Sequence, residues 1–113
     1  MTVSEHSIQS QIQVELSKHH CTVFRANVGT GLPSGYTDLS GFRWVDGKAF
    51  FIEVKNATGK PREDQIRFHR MLASHNIIHG IARSVDDARM IVDGALVGYG
   101  FDDYGSEVND FDS

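Results

Sequence analysis

The sequence predicts a mixed α/β domain, with a sheet of about four strands flanked by helices. Three observations predict it. Short runs of β-branched and aromatic residues at 21–27, 36–42, 47–55 and 77–83 read as strands. Apolar residues at helical spacing fill the stretches 4–19, 61–75 and 84–94. Glycine, proline and Asp-Gly punctuate the boundaries between them. The resulting order is α-β-β-β-α-β-α, within a chain of 113 residues that suits one domain.

Each element has a local reason. Ser4 is an N-cap, and Ile8, Ile12 and Leu16 form an apolar stripe behind it. "CTVFRAN" is a strand by composition, and "VGTGLPSG" a loop by its glycines and proline. "YTDLSGF" and "GKAFFIEVK" are joined by the Asp46-Gly47 turn. The next helix starts near Pro61, with Glu63 and Asp64 suited to its positive end. "IIHGIAR" follows as the fourth strand, and Ser84 caps a last helix that stops at Gly94. Residues 1–94 are therefore the expected domain, and 95–113 an acidic, mobile tail on which Phe101 and Tyr104 could dock.

Hydrophobic residues make up 40% and charged residues 23%, which excludes a disordered chain. There is no apolar run long enough to span a membrane and no basic-then-apolar leader, so the expectation is a soluble, intracellular protein. The single cysteine, Cys21, excludes a disulfide framework and a Cys-cluster zinc site. The net charge of −4 is unevenly spread. Five acids and no base lie in 94–113, whereas residues 18–70 carry nine basic side chains against five acidic ones. A basic body fits a polyanionic partner, or is simply a solvated surface.

The stretch "FFIEVK" places chemistry in a buried strand. Alternation puts Phe50, Ile52 and Val54 on one face, and Phe51, Glu53 and Lys55 on the other. Charges at a buried strand end must be paired or bound to a metal, so a mutual Glu53–Lys55 ion pair is the plain alternative to a site. A hairpin turning at Asp46 would bring Asp38 near Glu53, and two adjacent carboxylates attract a divalent cation. Gln65 is the polar exception on the core-facing line 61, 65, 68, 72 of the second helix, at the end nearest Lys55. Glu15 flanks the stripe of the first helix and could complete a metal shell through water, or be an exposed flank residue. Of the histidines, His69, His75 and His79 invite a zinc reading, but they lack a zinc-ligand spacing. Cys21 reads as buried filler rather than a nucleophile, and Trp44 as partly packed by default, with stacking on a base or a place at a dimer surface as its alternatives.

Asp38, then Glu53-Val54-Lys55, then Gln65, in an αβββαβ order, resembles the PD-(D/E)XK nuclease superfamily. "GTGLPSGYTDLSGF…GKAFFIEVKNATGKPREDQIRFHRML" more narrowly resembles the virus-type replication-repair nuclease (VRR-NUC) domain, stand-alone phage type, from about Arg25 to Ser84. Thr37 stands where that family commonly has proline. The resemblance implies a restriction-endonuclease-like core and a nuclease similar to Holliday-junction resolvases, acting on branched DNA as a homodimer, in the host cytoplasm if phage-encoded. It implies Mg²⁺ or Mn²⁺ on Asp38, Glu53 and the carbonyl of Val54, with Lys55 handling the attacking water and Glu15 and Gln65 supporting. Arg25, Arg43, Lys48, Lys60, Arg62, Arg67 and Arg70 are the candidate phosphate contacts, with Ser34 as a further donor by analogy with resolvases. Two other functions stay open: a flap, nick or general endonuclease with the same site, and a non-catalytic DNA-binding module in which Glu53–Lys55 is only an ion pair.

Overall fold

The computed structural model describes residues 3–26, 31–102 and 104. Helix α1 (Glu5–Lys18) begins where the Ser4 hydroxyl accepts the Ser7 amide, and it buries Ile8, Ile12 and Leu16. Strands β1 (Cys21–Arg25), β2 (Leu39–Arg43) and β3 (Ala49–Val54) form an antiparallel meander. Gly47, at φ +73°, closes the β2–β3 turn by donating to the Arg43 carbonyl. Helix α2 (Glu63–Ser74) leads to β4 (Ile78–Ala82), and α3 (Val85–Asp93) to β5 (Val97–Tyr99), with both strands added in parallel.

The sheet order is β1-β2-β3-β4-β5. Phe50, Ile52 and Val54 are fully buried with the apolar stripes of α1 and α3. On the opposite face, α2 lies against β4 and β5 and leaves part of β1 and β2 bare. The expected element order therefore stands, as a mixed α/β sheet flanked by three helices.

Two expectations are corrected. The sheet has five strands rather than about four, and the fifth lies within the segment read as tail. Three residues among Gly94, Gly98 and Gly100 carry no strand periodicity, so only pairing with the free edge of β4 makes them a strand. The ordered fold thus continues beyond residue 94. Phe101 is buried, and Tyr104 sits edge-on to it, as the docking alternative anticipated. Helix α2 starts at Glu63 rather than near Pro61, because the Gln65 side chain accepts the Arg62 amide at 2.8 Å and makes Arg62 the N-cap.

Candidate active site

The β2–β3 register places Leu39 opposite Ile52 and Gly41 opposite Phe50. Extending that register by one residue sets Asp38 across from Glu53. Asp38 Oδ2 accepts the Val54 amide at 2.8 Å, which pins this carboxylate against the end of β3. Thr37, fully buried, donates its hydroxyl to the Leu39 carbonyl at 3.0 Å and so shapes the turn without a proline.

Glu53 is 1% exposed. Its Oε2 accepts from Gln65 Nε2 at 2.9 Å, so Gln65 ties the start of α2 to this carboxylate. Burial, and then the adjacent Asp38, push the Glu53 carboxyl up to about 10, against the weaker pull of Lys55 and Arg62. Both causes favour the protonated form of Glu53 when no cation is present. Replacing that proton with a cation relieves the same repulsion. Two carboxylates and a strand-end carbonyl, with waters completing the shell, fit a hard ion such as Mg²⁺. Among the described residues, no group of three or more His, Cys, Asp or Glu is arranged to hold a metal.

Lys55 follows Glu53 on the same face, with its backbone amide bonded to the Ala82 carbonyl at 3.1 Å. The next segment is held by Arg83, whose Nη1 donates to the carbonyls of Asn56 (2.6 Å) and Gly59 (2.7 Å). Glycine is required at Gly35. Its φ is +79°, and a Cβ there would run into the Asp64 carbonyl at the start of α2.

Glu15 is not brought to this site. It pairs with His19 at 2.9 Å and with Arg89 of α3 at 3.3 Å. The acid of α1 that does reach the end of β3 is Glu5, whose Oε2 accepts the Asn56 amide at 3.4 Å. Ten residues of helix separate Glu5 from Glu15, or roughly 15 Å. Both flank the same stripe, so the sequence signal that pointed to one applied equally to the other.

The cation candidates divide. Arg25, Lys60, Arg62 and Arg67 are exposed. Arg25 pairs with Leu39 in the sheet register, which puts it at the same sheet end as Asp38, with one bond to Ser10. Arg62 and Arg67 contact the acids Asp64 and Glu63 at 3.3 and 3.8 Å. Arg43 is a correction: it lies at the far end of β2, where it holds the Val92 carbonyl and Asp46. Its guanidinium fastens α3 to the hairpin, and Lys48 shares that distant turn. The Ser34 hydroxyl donates to Asp64 at 3.1 Å, so it is engaged within the protein rather than free for a phosphate. The residues at 27–30 of the glycine loop lie outside the described residues.

One buried cluster was missed. His69 and His79, each 1% exposed, meet Nδ1 to Nδ1 at 2.7 Å. His69 Nε2 lies 3.8 Å from Glu53 Oε1. Phe101 stacks on His69 at 4.5 Å between ring centroids. Burial holds both imidazoles neutral, His69 down at about 3, with His79 adding to the effect, and His79 at about 4. The available signal was the position of His69 on the core line of α2 and of His79 within an otherwise apolar strand. Cys21 is buried, as expected. Trp44 is 58% exposed, with its indole N–H donated to Thr22.

A mixed five-stranded sheet flanked by three helices is consistent with a restriction-endonuclease-like α/β fold. More particularly, the chain has the fold of a solved structure described as a VRR_NUC domain, with a TM-score of 0.67 at 19% identity. The match covers 81% of this chain and 97% of that one. No protein-family model matches the sequence, and no curated protein does.

Proposed function

We propose that this protein is a divalent-metal-dependent nuclease that hydrolyses phosphodiester bonds in DNA, with branched DNA, the four-way junction above all, as its substrate. The observation that carries the reading is the pair of half-buried Asp38 and buried Glu53, with Lys55 beside it, at the sheet end of a VRR_NUC-type fold. Asp38, Glu53 and the Val54 carbonyl would hold Mg²⁺ or Mn²⁺. When bound, the ion supplies Lewis acidity at the scissile phosphate and makes a nearby water more acidic. Lys55 orients that water and offsets the negative charge that grows on the phosphoryl oxygens. Gln65 fixes the rotation of Glu53, and Glu5 replaces Glu15 as the supporting acid of α1. Arg25, Lys60, Arg62 and Arg67 draw in the phosphate backbone.

Paired nicks across a junction need two such sites, which supports a homodimer. The bare aromatic face is Phe24, Phe42 and Trp44, at 54%, 39% and 58% exposure. The β1–β2 register puts Phe24 and Phe42 on one sheet face, and the Trp44 bond to Thr22 brings Trp44 to it, beyond the reach of α2.

The test is cleavage of synthetic junction, flap, nicked and plain duplex DNA, with and without Mg²⁺ or Mn²⁺. Cutting of the junction ahead of the other substrates is expected, and it should vanish with chelator. Glu53→Ala and Lys55→Ala should each lower the rate by about a hundredfold or more, with DNA binding retained. Folded protein that leaves every substrate intact, with variants that only shift the melting temperature, would make the pair structural and the protein a binding module.

A further inference from the structure

The two oxygens of Glu53 are served unequally. Gln65 donates to Oε2, while Oε1 is buried without a hydrogen-bond partner among the described residues. The polar atom placed toward Oε1 is His69 Nε2, at 3.8 Å, itself buried and unpartnered. Gln65 and His69 stand four residues apart on α2, so one helix face presents both groups to one carboxylate.

The contact to His79 decides what His69 can offer. Two neutral imidazoles meeting Nδ1 to Nδ1 share one proton in that bond, so two arrangements exist. In one, His69 donates through Nδ1. Its Nε2 lone pair then faces the oxygen lone pairs of Glu53, and His79 is left with a buried Nε2–H that no described residue accepts. In the other, His79 donates. His69 then carries its proton on Nε2, toward Glu53, and the unpartnered His79 Nε2 is an acceptor. A buried orphan donor is rarer and costlier than an under-used acceptor. The second arrangement is therefore favoured at both ends of the pair. Phe101, stacked over His69, closes the cluster on that side.

We propose that His69 is a positioning residue for Glu53: held by His79 in the Nε2–H tautomer, it donates to Oε1 of the carboxylate and fixes the face that Glu53 turns toward Asp38. This role rests on the reading of Asp38 and Glu53 as a divalent-cation site. For that donation the 3.8 Å separation must close to hydrogen-bond length. Together, Gln65 and His69 grip both oxygens from behind and leave the Asp38 side of the carboxylate for the ion. His79 and Phe101 act through His69 and touch no ligand.

Two measurements test this. Long-range ¹H–¹⁵N spectra of the wild-type protein saturated with Mg²⁺ should show His69 protonated on Nε2 alone and His79 on Nδ1 alone. The reverse pattern overturns the proposal, and this readout needs no variant to fold. Mn²⁺ affinity, followed by electron paramagnetic resonance, should fall about 10- to 100-fold in His69→Leu. His69→Gln, whose amide N–H can reach the same oxygen, should recover most of the loss. Wild-type affinity in folded His69→Leu, beside a clear loss in Glu53→Ala, overturns the role of His69 alone. Wild-type protein whose Mn²⁺ affinity is indifferent to Glu53→Ala overturns the cation site and this role with it.

Discussion

Glu53 and the two histidines behind it give the metal-free protein opposed pH dependences. The Glu53 carboxyl is raised from 4.5 to about 10. Its share of stability is complete below pH 4.5 and is lost as pH climbs toward 10, because the unfolded chain gives up that proton first. His69 and His79 are depressed from 6.5 to about 3 and 4. Their share is complete above pH 6.5 and is lost as pH falls toward those values, because the unfolded chain takes up protons first. The metal-free melting temperature should therefore fall on both sides of the window between the unfolded values, 4.5 and 6.5. Glu53→Gln keeps the bond from Gln65 but has no proton to lose, so it should flatten the alkaline limb and leave the acid limb in place. Melting scans of both proteins in EDTA from pH 4 to 9 decide it. Parallel curves would mean that the carboxyl is not held protonated.

At the scale of elements, the site depends on how α2 is anchored. Its first turn is seated by Gly35, whose backbone lies against the Asp64 carbonyl, while Gln65 reaches from the same turn to Glu53. Gly35→Ala adds a Cβ that collides with backbone and also strains a positive φ. A loss of more than about 1 kcal/mol is expected, since the native conformation rejects the new side chain. Urea denaturation measures it. Because α2 carries both Gln65 and His69, the variant should also lose Mn²⁺ affinity. An equally destabilising change on the far side of the sheet, Ile12→Ala in the α1 stripe, should not lower it to the same extent.

The whole molecule raises two further questions, its C-terminal limit and its free face. A chain ended at Gly94 loses β5 and Phe101, hence the edge pairing of β4 and the ring over His69. It should melt well below the full-length protein, by circular dichroism. On the other side, Phe24, Phe42 and Trp44 form the aromatic face proposed for the dimer. Phe42→Lys should shift sedimentation to that of a monomer and abolish paired nicking, while each monomer keeps its metal site. If the wild type already sediments as a monomer at the concentrations where it cuts, the dimer is excluded.

Asp38 and Glu53 were legible as a pair because a tight turn at residues 44–47 and the two-residue period of strands fix register locally. The caps at Ser4 and Ser84, the apolar stripe of α1 and the core set Phe50, Ile52 and Val54 follow from the same short-range rules. Tertiary packing settled the rest. Glu5 and Glu15 have equal claims from periodicity, and only the seating of α1 across the sheet puts Glu5 at the end of β3. Arg43 looks like any surface cation until α3 docks and takes its guanidinium. His69 and His79 belong to different elements, and the parallel β3–β4 register turns His79 toward α2. Local sequence sets which side chains share a face. Which faces meet is decided by burial of the whole core, an interaction that has no period to read along the chain.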